Sequence, residues 1–96
     1  MLIKAGVDIS RLKPEIRKKL TEIAAIIWAT GNDELIITST YEGTHSEGSL
    51  HYANMAIDIR PGSRRKHVFT EIKRCLGPDF DVVMEGDHIH VEYDPK

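Results

Sequence analysis

Five histidines occur in the 96-residue chain, and three of them stand among carboxylates at the edges of apolar runs. His51 lies in "SLHYANMAID", residues 49–58, and His88 and His90 lie in "EGDHIHVEYD", residues 85–94. In a strand beginning at residue 88, side chains alternate, so His88, His90 and Glu92 share one face while Ile89, Val91 and Tyr93 share the other. The same rule turns Asp58 and Arg60, with Ala56, away from Met55, Ile57 and Ile59, which lets Asp58 meet His90 across a sheet. His51 precedes Asp58 by seven positions, so a turn could bring its imidazole over the same face. Two imidazoles and one carboxylate leave a fourth tetrahedral position open, the arrangement of catalytic zinc. Zinc brings the pKa of a water in that position to about 7, and a nearby carboxylate can take its proton during attack on a carbonyl. The plainer reading is an ordinary loop histidine at His51 and a solvent-facing strand residue at Asp58, and a His-x-His pair alone is a weak signal.

These side chains need a scaffold. In "SRLKPEIRKKLTEIAAIIWATGN", Ile16, Leu20, Ile23, Ala24, Ile27 and Trp28 recur with the rhythm of a half-buried helix, with Pro14 in its first turn and Gly31 as its C-terminal cap. "ELIITS" is a short β-branched run, a buried strand, followed by the long loop "TYEGTHSEGS". "MAIDIR" forms a second strand closed by Pro61-Gly62. "SRRKHVFTEIKRCLG" places Val68, Ile72, Cys75 and Leu76 on one helical face, with Ser63 as cap, Gly77-Pro78 as stop and Cys75 in the core. The "SRRK" run at the helix start is a solvated face that opposes the helix dipole, and His67 beside it belongs on the surface. "FDVVMEGDHIHVEYD" has the form of a β-hairpin. The order helix, strand, loop, strand, helix, hairpin predicts one α+β domain over residues 1–96, with two helices and a small, mainly antiparallel sheet.

Composition bounds the partners. Net charge is −2 and 41% of residues are apolar, so one compact core is affordable and the electrostatic drive toward nucleic acid is weak. The single cysteine excludes an internal disulfide and any thiolate zinc cage. No apolar run approaches a membrane span, and "MLIKAGVDIS" lacks the form of a secretory signal. The expectation is a product made in the cytoplasm, with no nucleic acid, membrane or protein partner.

"SLHYANMAID" resembles the Ser-x-His-x-x-Gly-x-Ala-x-Asp motif of the zinc D-alanyl-D-alanine peptidases, a family that includes phage endolysins cutting L-alanyl-D-glutamate bonds and that shares its fold with the hedgehog signalling domain. "DHIHVEY" resembles the second motif, with an acid three residues before the last histidine ligand. "LIITSTYEGTHSEGSLHYANMAIDIRPG" resembles the "ITS" strand and loop, so the likeness covers most of residues 35–93. It implies a hedgehog-like fold, His51, Asp58 and His90 as Zn2+ ligands, Asp87 as acid/base, and His88 as hydrogen-bond donor to the oxyanion. Ser49 would bind substrate. A competing frame takes Glu85 as base and His88 as ligand, since Glu85-Gly86-Asp87-His88 has the same spacing.

Two positions depart from the pattern. Asn54 replaces the usual Gly, and Asn best tolerates φ > 0 among non-glycine residues. Glu42 stands where many members carry an Arg, which leaves bond specificity open; Arg60 or His45 could supply the missing donor. The function implied is a metallopeptidase, a peptidoglycan hydrolase cutting an amide of the bacterial stem peptide as a D-Ala-D-Ala carboxypeptidase or L-Ala-D-Glu endopeptidase. It would serve cell wall degradation in bacteriophage or prophage lysis, acting at the wall once released or virion-borne. The alternatives are a zinc-binding module of the same fold without turnover, and a phage structural protein.

Overall fold

A computed structural model describes residues 1–7, 9–10, 12–31, 34–40, 55–62 and 64–95. His45, Ser49, His51, Tyr52 and Asn54, with Glu42 and Ser63, lie outside the described residues. The elements are β1 (Leu2–Ile3), α1 (Pro14–Arg17), α2 (Leu20–Gly31), β2 (Ile36–Ser39), β3 (Ala56–Ile59), α3 (Arg65–Leu76), β4 (Phe80–Met84) and β5 (Ile89–Tyr93). Among the described residues, five strands make one sheet in the order β1-β2-β3-β5-β4. There β1 and β2 pair in parallel and the other pairs are antiparallel. The fold is α+β with a mainly antiparallel sheet.

The expected first helix is divided. Pro14 opens α1, where its missing N–H leaves no acceptor unsatisfied. The turn ends at Lys18, whose N–H bonds back to Pro14 O at 3.0 Å, and α2 begins at Leu20 and runs through Gly31. Ile16, Leu20, Ile23 and Ile27 are buried as the periodicity requires, but Trp28 is 61% exposed. Trp28 neighbours the apolar stripe in sequence without sharing its direction: at 100° per residue it points well away from Ile27.

In α3, Val68, Ile72 and Leu76 are buried. Cys75 is exposed, correcting its assignment to the core, because it flanks the Val68–Ile72–Leu76 stripe instead of lying on it. Arg64 is the N-cap and offers no side-chain cap bond; the helix stops at Gly77, with φ 80° and ψ −170°, a region essentially restricted to glycine.

Both longer helices bury their stripes on one side of the sheet. Ile37, Ile57, Ile59, Ile72, Ile89 and Val91 are fully buried there, and α3 packs on α2 and β4. Removing one of these isoleucine side chains to alanine costs about 2–5 kcal/mol. The apolar half of the alternation in β3 and β5 therefore fixes which side chains face away: Asp58, His90 and Glu92.

Candidate metal and catalytic site

The ladder between β3 and β5 sets Asp58 opposite His90 and Ile57 opposite Val91. Asp58 Oδ1 lies 2.9 Å from His90 Nδ1, and Glu92 Oε1 lies 2.7 Å from His90 Nε2. All three side chains are largely shielded, at 13%, 15% and 22% exposure for Asp58, His90 and Glu92. The period-2 reading brought Asp58 and His90 together and put Glu92 on the same face. It did not identify Glu92 as the second partner of His90.

His88 stands just before β5. Its Nδ1 lies 2.8 Å from Asp87 Oδ1, while its Nε2 lies 3.7 Å from Asp58 Oδ1 and 3.8 Å from Glu85 Oε1. The His88 hydrogen bond, followed by the Asp87 backbone amide and the charges of His88 and Arg60, holds the Asp87 carboxyl below its usual range. Asp87 is therefore ionised near neutral pH, so His88 Nδ1–H is the donor in that pair. Asp87 itself is 97% exposed, at the mouth of the site.

β2 contributes an irregularity beside Asp58. Ile37 pairs with Ile59 and Ser39 with Asp58, so β2 spends two steps where β3 spends one. Such bulges redirect strands and often flank functional sites. The extra residue, Thr38, donates from Oγ1 to Asp58 O at 3.3 Å. Thr38 then joins Lys4, Arg60, Asp87 and His88 in lining a cleft of about 260 Å³. Arg60 was expected on the Asp58 side of β3 and is exposed there. Lys4 had no signal in the sequence: it follows a strand of two residues, and its N–H bonds to Ile37 O at 3.0 Å beside the bulge.

The donors suit zinc in kind. Zinc takes histidine nitrogen and carboxylate oxygen at about 2.0–2.2 Å, which places tetrahedral donors about 3.3 Å apart. The Asp58–His90 and Asp58–His88 separations of 2.9 and 3.7 Å fall on either side of that value. His90 is in place to be a ligand with Asp58; His88 Nε2 is close enough to Asp58 for the competing frame to remain geometrically sound.

A second cluster adjoins the first. Asp81, Glu92 and Asp94 bring carboxylate oxygens within 4.8 Å of one another, close enough to hold a metal ion. An all-oxygen set suits a hard cation such as calcium or magnesium better than zinc.

No protein-family model matches the chain. Among curated proteins it is similar to a pyruvate kinase from Corynebacterium efficiens, with 39% identity over 51 residues. That stretch is 53% of this chain, and the chain spans 11% of that enzyme's length. A match of this extent does not carry the larger enzyme's activity or substrates to this chain.

Proposed function

We propose that the chain is a zinc metallopeptidase that hydrolyses an amide bond in the peptide stem of bacterial peptidoglycan. The observation that carries this reading is the Asp58–His90 contact of 2.9 Å across β3 and β5, with the Asp87–His88 pair at its edge. Motif resemblance adds His51 as the third ligand and Ser49 as a substrate contact. Zinc held by these residues supplies a Lewis acid for the scissile carbonyl and an acidified water as nucleophile.

The remaining work falls to side chains. Asp87, ionised and open to the cleft, accepts the proton of the attacking water and returns it to the leaving amine. His88 gives its Nδ1–H to Asp87, which fixes the ring, and a hydrogen bond from Nε2 to the developing oxyanion requires a proton on that nitrogen as well. Lys4 and Arg60 put two cations on the cleft wall, complementary to the carboxylates of a stem peptide. They take the part left open by Glu42 at the family's usual Arg position. On this reading the enzyme acts at the cell wall in phage or prophage lysis.

The position of His88 Nε2 between Asp58 and Glu85 favours one variant of the scheme, with His88 as ligand and Glu85 as base. The presence of Glu42 favours a non-catalytic zinc module. Both are separated by one experiment: zinc content and hydrolysis of purified stem peptides for the wild type, His88→Ala, His90→Ala and Asp87→Ala. The proposal requires about one zinc per chain, lost in His90→Ala and kept in His88→Ala and Asp87→Ala, with hydrolysis lost in Asp87→Ala. Zinc without hydrolysis by the wild type would leave the module, and loss of zinc in His88→Ala would move the ligand role to that residue.

A further inference from the structure

Arg64, Arg65 and Lys66 open α3, where the helix dipole disfavours positive charge. Arg65 has a use at that position. Its Nη2 donates to Gly86 O at 2.6 Å and to Glu85 O at 3.0 Å, and lies 3.6 Å from Met84 Sδ. Glu85 and Gly86 form the connection between β4 and β5, beyond the last ladder pair, Met84 with Ile89. The backbone closes that connection through Glu85 N–H to His88 O at 2.9 Å. Carbonyls in such a turn have no strand partner, and a guanidinium can satisfy two of them with one planar group. The same four-residue connection carries Glu85, Asp87 and His88, whose side chains meet at the cleft edge.

We infer that Arg65 is a positioning residue for the candidate site: it clamps the 85–88 turn from α3 so that the Asp87–His88 pair stays directed at Asp58. Arg65 is exposed and touches no candidate ligand. Its two hydrogen bonds go to the turn, outside the β4–β5 ladder that runs from Phe80 with Tyr93 to Met84 with Ile89. What depends on it is the orientation of a short segment that carries two groups of the mechanism. The catalytic part of this inference rests on the peptidase reading; the clamp itself does not.

The test uses the full chain, ¹⁵N-labelled, with Arg65→Met, which keeps most of the apolar stem, and Arg65→Lys, which keeps the charge without the planar fork. In Arg65→Met, hydrogen exchange at the Glu85 amide should accelerate roughly tenfold, the equivalent of one charge-assisted hydrogen bond. Exchange at Val82 and Val91 should stay at the wild-type rate. The separation between the His88 ring ¹⁵N shifts, which reports the donated Nδ1–H, should narrow. On a stem peptide, kcat should fall by up to about 100-fold with KM and zinc content unchanged, the signature of a misplaced catalytic group. Arg65→Lys should recover part of each change.

Unchanged Glu85 exchange overturns the clamp. Faster exchange with unchanged His88 ring shifts and kcat overturns the positioning role and leaves a turn tie alone. If the wild type hydrolyses no stem peptide, the peptidase reading falls, and the exchange and ring-shift data still decide the inference. Should Arg65→Met not fold, Arg65→Gln read at the same nuclei decides it.

Discussion

His90 is held between two carboxylates, with Nδ1 at 2.9 Å from Asp58 Oδ1 and Nε2 at 2.7 Å from Glu92 Oε1. A neutral imidazole has one N–H, so it can donate to only one of them. The imidazolium satisfies both. The Asp58 bond, opposed by burial and helped by the Glu92 bond, accordingly raises the His90 pKa from 6.5 to about 8. In the metal-free chain this residue is a stored proton at the centre of the candidate site.

That proton makes a stability prediction for protein kept in chelator. The folded pKa is raised, so the contribution is fully present below about 6.5, the unfolded value, and is lost as pH rises through about 8. The shift corresponds to about 2 kcal/mol. Urea unfolding of the wild type should therefore lose about that much between pH 6 and pH 9 relative to His90→Gln. A wild-type and a variant curve that run parallel across this range would show that His90 does not carry the proton.

On the proposed reading, zinc would compete with that proton for a ring nitrogen of His90. A ligand imidazole must be neutral, so uptake below pH 8 releases a proton and apparent affinity should rise with pH between 6 and 8. Asp58→Asn keeps the shape and removes the charge, and Glu92→Gln removes the outer carboxylate. The first should weaken zinc by well over about 100-fold and the second by about 10–100-fold, the range found for partners behind a ligand. Competition titration with a chromogenic chelator at three pH values measures both; pH-independent affinity would remove His90 from the ligand set.

Much of this geometry was legible from period-2 alternation. Ile57 and Ile59 with Ile89 and Val91 are buried to the last atom, which leaves Asp58 and His90 no choice of face and pairs them once the strands are antiparallel. The hairpin was legible for the same reason. Other features depend on partners distant in sequence. β1 is two exposed residues whose pairing with β2 has no local pattern, so Lys4 could not be placed. Thr38 becomes a bulge only because Ser39 meets Asp58. Trp28 and Cys75 were misplaced because each adjoins an apolar stripe, and periodicity resolves the edges of a stripe poorly. Within the run "SRRK", the partners of Arg65, the carbonyls of Glu85 and Gly86, lie about twenty residues further along the chain and leave no local pattern.

Asp87 should separate catalysis from folding. At 97% exposure it supports no core contact, so Asp87→Ala should unfold at the wild-type temperature. As the proton acceptor it should account for about 100-fold to 10,000-fold in kcat. Calorimetry and stem-peptide turnover measured on one preparation decide this, and a variant that hydrolyses at the wild-type rate removes Asp87 from the mechanism.

Lys4 and Arg60 should set substrate charge preference. They line the cleft with Thr38, Asp87 and His88, and the Arg60 charge already reaches Asp87, where it helps hold the carboxyl low. A substrate carboxylate entering the cleft would meet both cations, whereas the corresponding amide would meet neither as a counter-ion. In a cleft open to solvent each pairing contributes about 1 kcal/mol or less, weakened further by salt. Arg60→Ala and Lys4→Ala should therefore each raise KM by up to about fivefold for a stem peptide with free carboxylates, with kcat little changed. The same variants should treat the amidated peptide as the wild type does, and the difference between acid and amide should shrink at high ionic strength. An equal loss on both peptides would mean that the two side chains shape the cleft and do not read its charge.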